Sequence, residues 1–197
     1  MKFNAVLVFV MISGLICCQK SGATNRVDQA LLASTLPAGS GQAIEGAQCN
    51  ASEQVVISCR LQERDEWASI CTNTASTSRD LKFRFALGKS RGVPKVKVPE
   101  IGHAPSSDFR RSRLMLMGGA GGLVLSTTTD GTRYALYSIQ GNGFAIAGLQ
   151  KSAAGSARAT SNIECDMSTL QEAEDERLQN VIDTWAHDQR YENKGLL

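Results

Sequence analysis

Two glycine-rich segments come closest to known catalytic motifs. Gly88-Lys89-Ser90-Arg91-Gly92 matches the G-x-S-x-G string of serine hydrolases, which requires a strand entering and a helix leaving a tight elbow. Val93-Pro94-Lys95-Val96 continues as extended chain, so a basic turn between two strands is predicted here instead. The run Gly118–Gly122 lacks the lysine and the following helix of a phosphate-binding loop, which indicates a flexible turn or bulge.

Acid–base and metal chemistry have few candidate residues. His103 lies in a loop with glycine, proline and serine, and His187 lies in an acidic C-terminal segment. Neither has a second ligand at metal-binding spacing, and the cysteines show no C-x-x-C pattern. We therefore predict no catalytic residues, no metal site and no cofactor, so the protein is not expected to be an enzyme. A hydrolase with an unfamiliar site is the alternative.

The N-terminus has the layout of an export signal. An early lysine precedes an unbroken apolar run from Ala5 to Ile12, and Ser21-Gly22-Ala23 offers small residues to a signal peptidase, so residues 1–23 are predicted to be a signal peptide. The apolar stretch is shorter than the roughly 20 residues of a membrane-spanning helix, and no later segment approaches that length. The Leu15–Cys18 segment also has the outline of a bacterial lipoprotein box, so a lipid anchor at Cys18 is the alternative.

The cysteines that follow the signal peptide are expected to form two disulfides. They are Cys49, Cys59, Cys71 and Cys165, and an even number in an exported chain favours cross-links. Cys59 ends the first predicted strand and Cys165 ends the last, so their pairing would join strands that meet when a barrel closes. Cys49 would then pair with Cys71. Pairing of Cys59 with Cys71 across a hairpin is the alternative.

Charge is segregated along a chain that is neutral beyond residue 23. Residues 79–113 contain ten lysines and arginines against three acids, whereas residues 164–197 contain nine acids against three lysines and arginines. A neutral chain with few aromatic residues lacks the broad basic field that drives nucleic-acid binding, so that class is discounted. Either the acidic tail lies over a basic sheet face, or the basic surface is open to an acidic partner.

Short apolar runs separated by turn residues predict a mainly β domain over residues 49–167. Leu81, Phe83, Phe85 and Leu87 alternate with other residues and are expected to face the core, which places Lys82 and Arg84 on a solvated sheet face. Asp130-Gly131 predicts a hairpin because both residues tolerate positive φ. We expect an antiparallel barrel or sandwich of about eight to nine strands, with a barrel favoured. The predicted strands are Gln54–Cys59, Trp67–Thr72, Leu81–Leu87, Pro94–Ile101, Arg113–Met117, Leu123–Thr129, Thr132–Ile139, Phe144–Leu149 and Ala159–Cys165.

The segments on either side of the β domain have different patterns. Residues 168–197 begin with overlapping capping boxes, and an amphipathic helix is predicted from about Thr169 to Arg190. Its apolar stripe is expected to pack on the sheet. Residues 24–48 are predicted to form a short helix and a glycine-rich linker. The stripe consists of Leu178, Val181, Ile182 and Trp185.

Several segments resemble known exported proteins. Gln54–Cys59, Trp67–Cys71, Leu81–Phe85 with Gly88-Lys89, and Ile163–Cys165 are similar to a widespread group of small, mostly uncharacterised exported bacterial four-cysteine β proteins.

The segments Asp130–Tyr134 and Gly141–Ala145 resemble the hairpin region of the membrane-bound inhibitors of C-type lysozyme. Members of that family are eight-stranded barrels that insert loops carrying a serine and a lysine into the lysozyme cleft. In this chain Asp130 replaces the serine, and Gly141–Gly143 offers no lysine. The resemblance therefore implies a barrel that binds protein through its loops, rather than lysozyme inhibition itself.

Export, a cross-linked scaffold and the lack of a catalytic motif together predict a periplasmic binding protein. Its expected partner is a cell-wall hydrolase or a delivered toxin, which the protein would neutralise as an inhibitor or immunity protein. A structural or accessory envelope protein, anchored by lipid at Cys18, is the alternative. The residues expected to contact the partner are Lys89, Arg91, Arg110, Arg111, Arg113, Asp130, Thr132 and Arg133.

Overall fold

Eleven strands form two sheets in the computed structural model, which describes residues 46–75, 77–156 and 158–194. The five-stranded sheet has the order β10 (Gln171–Glu172), β1 (Glu53–Arg60), β2 (Trp67–Asn73), β3 (Phe83–Gly88) and β4 (Val96–Val98). The six-stranded sheet has the order β11 (Ala186–His187), β5 (Phe109–Met115), β6 (Gly121–Thr129), β7 (Thr132–Gly141), β8 (Phe144–Ala153) and β9 (Ser161–Glu164). The pairings are antiparallel except for β11 with β5.

Helices are short in the part of the chain that the structure describes. The two α-helices are α1 (Glu176–Asp183) and α2 (Gln189–Lys194). No helix in this part is long and apolar enough to cross a membrane. The predicted signal peptide, Cys18 and nearly all of the predicted helix and linker over residues 24–48 lie outside the described residues. Single 3₁₀ turns occur at Ser78–Asp80, Ser106–Asp108, Met117–Gly119 and Met167–Thr169.

The prediction of a mainly β protein is confirmed, but the favoured closed barrel is wrong. Strand β1 pairs with β10 and β2, and it does not form a ladder with β9. The two sheets meet here through one isolated bridge between Leu61 and Cys165. A barrel would need continuous pairing at this junction. Two separate sheets result instead.

Each predicted strand segment overlaps an observed strand, although some bounds differ. Strand β4 covers only Val96–Val98, and β5 begins at Phe109, upstream of the predicted start at Arg113. The hairpin at Asp130-Gly131 is present, with φ values of 48° and 68°. Positive φ at both positions matches the right-handed twist of the flanking strands, which explains the register of β6 and β7.

Both predicted disulfides are present. Cys49 is bonded to Cys71 and Cys59 to Cys165, so the alternative pairing of Cys59 with Cys71 is wrong. The first bond ties the chain just before β1 to β2. The second ties the end of β1 to the residue that follows β9. Together they join the start of the domain to both sheets.

The predicted amphipathic C-terminal helix is confirmed only in part, because the segment from Thr169 to Arg190 does not form one continuous helix. Helix α1 begins only after Asp175, whose carboxylate accepts hydrogen bonds from the backbone N–H groups of Arg177 and Leu178 at 2.8 and 3.3 Å. After α1, Ala186 and His187 pair with β5 as strand β11. Capping and strand pairing therefore divide a segment whose apolar spacing is helical.

The apolar stripe of this segment packs on the sheet, as predicted. Trp185 is 2% exposed and makes an edge contact with Phe83 at a ring-centroid distance of 4.7 Å. The ring of Phe109 lies 5.2 Å away on the same side. Leu178 and Ile182 of α1 belong to the same core, which contains residues of both sheets. A C-terminal segment that is largely polar therefore contributes a central part of the core.

A second apolar cluster covers the other face of the six-stranded sheet. Tyr191 of α2 is 2% exposed and packs with Val124, Tyr137 and Ile139. Its hydroxyl donates to Gln150 Oε1 at 3.2 Å. Burial raises the pKa of Tyr191 to about 12. Because α2 covers this face, strands β6 and β7 are buried on both sides near their centres.

Candidate functional site

The loop between β3 and β4 displays a cationic turn. The side chains of Lys89 and Arg91 are exposed, and Val93 is 93% exposed. The N–H of Gly92 donates to the Lys89 carbonyl at 3.0 Å, which closes the turn. Arg91 has a φ of 56°, a conformation that a non-glycine residue keeps only where its surroundings fix the backbone. Two predicted contact residues therefore lie on a turn of defined shape.

Gln48 anchors the base of this turn by hydrogen bonds. Its side-chain Nε2 donates to the Lys89 carbonyl at 2.6 Å, and its backbone N–H donates to Ser69 Oγ in β2 at 3.0 Å. The carbonyl of Gln48 accepts a hydrogen bond from Arg84 Nη2 at 2.8 Å. The next residue, Cys49, is covalently bonded to Cys71. A turn with an anchored base loses less conformational entropy when it binds a partner.

A buried ion pair between Glu53 and Arg84 lies next to this anchor. The two side chains are 1% and 2% exposed. Arg84 donates to both carboxylate oxygens, with an Nε–Oε1 distance of 2.9 Å. The N–H of Asn50 donates to Glu53 Oε2 at 2.6 Å. Arg84 was expected on a solvated face, and that prediction is wrong because β1 supplies a carboxylate partner and the Gln48–Asn50 segment covers the pair.

The environment of Glu53 favours its charged form. Burial raises the pKa of Glu53, but hydrogen bonds from Arg84 and from the Asn50 N–H outweigh burial, so the pKa lies below its usual value. His103 Nε2 lies 2.7 Å from Glu53 Oε1, a close contact without the alignment of a hydrogen bond. This carboxylate therefore serves as a fixed anion that positions Arg84.

A cavity of about 260 Å³ opens between the cationic turn and the segment Ala47–Asn50. Besides Arg84, whose charge is paired with Glu53, its wall contains the cationic side chains of Arg91 and Lys97, so it suits an acidic group of a ligand or partner. The cavity is lined by Ala47, Gln48, Cys49, Asn50, Arg84, Arg91, Gly92, Pro94 and Lys97.

Two arginines of β5 and one of β7 contact the acidic C-terminal segment. Arg111 donates from Nε and Nη2 to the carbonyl of Asp183 at 3.1 and 2.8 Å. Arg113 Nη2 contacts both carboxylate oxygens of Asp183 at 2.7 and 2.9 Å. Arg133 Nη1 lies 3.3 Å from Asp188 Oδ1. Of the two alternatives from the charge pattern, the acidic tail over a basic sheet is therefore observed at these arginines.

The remaining predicted contact residues lie around a different cavity and turn. Arg110 and Arg133 line a cavity of about 330 Å³ with hydroxyl-bearing residues of β6. Asp130 is exposed in the β6–β7 turn, and Thr132 is half-buried at the start of β7. The structure brings Arg110 and Arg133 together, whereas Lys89 and Arg91 line no part of this cavity.

Sequence reasoning missed two buried carboxylates. Glu53 lies 31 positions before Arg84, and Asp188 lies 62 positions after Ser126, whose Oγ donates to Asp188 Oδ2 at 2.6 Å. No local pattern signals such pairs. Glu53, Cys49 and Cys71 also place ligand atoms within 4.8 Å of one another. Both sulfurs are in a disulfide, so they are not metal ligands in this state.

No protein-family model, no curated protein and no solved structure matches this chain.

Proposed function

We propose that this is an exported binding protein that neutralises a cell-wall hydrolase or a delivered toxin by inserting the β3–β4 turn into its acidic cleft. The observation that carries the proposal is the exposed cationic turn at Lys89 and Arg91, which Gln48 and the Cys49–Cys71 disulfide hold from beneath. Most glycoside hydrolases, including those that cleave cell-wall glycan, keep a pair of carboxyl groups in the cleft. A cationic turn of fixed shape is complementary to such a cleft in charge.

Lys89, Arg91 and Val93 of the turn would contribute differently to binding. The planar guanidinium of Arg91 can pair with a carboxylate through two hydrogen bonds, so its removal is expected to cost the most affinity. Lys89 presents a compact charge that mainly accelerates association. Val93 adds an apolar contact beside these charges.

Inhibition of peptidoglycan cleavage tests the proposal. The oxidised protein without residues 1–23 is added to a panel of purified muramidases, including C-type lysozyme, and to peptidoglycan-cleaving toxins. We expect stoichiometric inhibition of at least one enzyme and a loss of at least about 30-fold in potency for Lys89→Glu/Arg91→Glu, since each charge contact is worth about 1 to 2 kcal/mol.

A matched charge reversal controls for net charge. Arg79 and Lys82 are exposed near the opposite end of β3, roughly 20 Å along the strand from the turn. Arg79→Glu/Lys82→Glu is expected to retain the inhibition of the wild type. Equal potency of the two double variants would rule out the turn as the contact, and no inhibition across the panel would rule out the neutralising function.

An accessory role in the cell envelope is the second candidate, because an apolar patch is exposed at one end of the six-stranded sheet. Met115 and Met117 are 94% and 100% exposed, and Phe144 and Ile146 are 46% and 42% exposed. Such a patch is typical of a contact surface. Mass spectrometry of the mature N-terminus separates the roles, since an acylated Cys18 supports envelope anchoring and a free Thr24 weakens it.

A further inference from the structure

The two disulfides differ in their access to solvent. Cys59 and Cys165 are 0% and 1% exposed, so no external thiol reaches them in the folded protein. Cys71 is also 0% exposed, but its partner Cys49 is partly exposed and lines the 260 Å³ cavity beside the cationic turn. Of the four disulfide-bonded cysteines, Cys49 is therefore the one that is not fully buried.

The charged groups around Cys49 and Cys71 favour attack of a thiolate on Cys49 from the cavity. Arg84 Nη2 lies 3.7 Å from Cys71 Sγ and can donate a hydrogen bond to a thiolate formed there. The carboxylate of Glu53 offsets part of this charge, and it also fixes Arg84 in place. Arg91 and Lys97 on the cavity wall attract an anionic thiol toward Cys49.

We infer that Cys49 is a site of thiol–disulfide exchange with small anionic thiols. The incoming thiolate attacks Cys49 Sγ, a new sulfur–sulfur bond forms, and the Cys49–Cys71 bond breaks. Cys71 leaves with the electron pair as a thiolate, beside Arg84. A second thiolate then attacks the outer sulfur of the mixed disulfide and releases Cys49 as a thiolate, so two thiols are oxidised and one protein disulfide is reduced.

The inference is independent of any partner protein and is tested with glutathione, a tripeptide thiol that carries net negative charge. The oxidised protein is incubated with graded glutathione, quenched with acid, unfolded in urea with excess iodoacetamide so that buried thiols are also alkylated, and digested for mass spectrometry. We expect glutathione on Cys49, an alkylated Cys71, and an intact Cys59–Cys165 bond. Glutathione on Cys71, or reduction of Cys59–Cys165 at the same rate, would overturn the assignment.

A charge variant distinguishes electrostatic attraction of the thiol by Arg91 and Lys97 from the solvent exposure of Cys49 alone. In Arg91→Gln/Lys97→Gln, the reaction with glutathione is expected to slow by about tenfold at low salt. The reaction with cysteamine, whose ammonium group balances the charge of its thiolate, is expected to stay within about twofold of the wild type. Equal slowing with both thiols would contradict the cavity's role, and the intact Cys59–Cys165 bond reports that each variant is folded.

Discussion

Replacing Glu53 with glutamine is expected to lower the free energy of unfolding by about 3 to 5 kcal/mol. Arg84 is 2% exposed, so its charge would lose its counter-ion without gaining water. The Gln48 carbonyl at 2.8 Å would remain as an acceptor. The glutamine amide can accept one hydrogen bond, but it cannot neutralise the guanidinium. Most of the cost is the burial of an unpaired charge.

Urea unfolding of the oxidised protein measures this cost. Trp67 and Trp185 are both buried, so their fluorescence reports on the core. The control is Glu53→Leu/Arg84→Met, which removes both charges and leaves neither unpaired. Its loss is expected to be smaller than the sum of the losses measured for Glu53→Leu alone and Arg84→Met alone. A loss below about 1 kcal/mol for Glu53→Gln, or a double variant as unstable as that sum, would refute the reasoning.

The same variant changes the response of stability to acid. The folded-state pKa of Glu53 lies below its unfolded value near 4.5. The group therefore contributes stability that is fully present above the unfolded pKa and is lost as pH falls through the folded pKa. Below about pH 4.5, Glu53→Gln is expected to lose stability less steeply than the wild type. If the free energy of unfolding falls equally steeply with pH below about 4.5 in the two proteins, this linkage is contradicted.

Two further predictions concern the C-terminal segment, and urea unfolding measures both. Trp185→Ala removes a ring that is 2% exposed from its contacts with Phe83 and Phe109, and a loss of about 3 to 5 kcal/mol is expected; a loss under about 1 kcal/mol would show that the ring is not packed. Asp188→Asn is expected to cost about 2 to 3 kcal/mol because the Asp188 side chain is 3% exposed, whereas Asp183→Asn, at 40% exposure, is expected to cost under about 1 kcal/mol. A larger loss of stability for Asp183→Asn than for Asp188→Asn would contradict the role of Asp188 as a buried, hydrogen-bonded carboxylate.

Local patterns in the sequence predicted the elements that depend on near neighbours. Alternation of apolar residues predicted the strands, and Asp130-Gly131 predicted a hairpin because the two-residue turn requires positive φ at both positions. The even number of cysteines predicted two cross-links. Cys59 and Cys165 end the first and last predicted strands, and closure of a barrel predicted their pairing. The bond is present although the two sheets do not close into a barrel.

Contacts between distant segments could not be predicted in the same way. Pairing of Ala186 and His187 with β5 replaces the helix that apolar spacing favoured, because strand pairing depends on an edge formed some 75 residues earlier. The burial of Arg84 depends on Glu53, which no local pattern connects to it. The anchored turn at Lys89 depends on Gln48 for the same reason.

Calorimetric titration of an inhibited hydrolase tests the central claim most directly. The wild type, Lys89→Glu/Arg91→Glu and Arg79→Glu/Lys82→Glu are each titrated at low and high salt. The anchored cationic turn predicts one-to-one binding that weakens with salt for the wild type and the Arg79 and Lys82 variant, and a loss of at least about 30-fold in affinity for the Lys89 and Arg91 variant. Unchanged affinity for the Lys89 and Arg91 variant would contradict the claim.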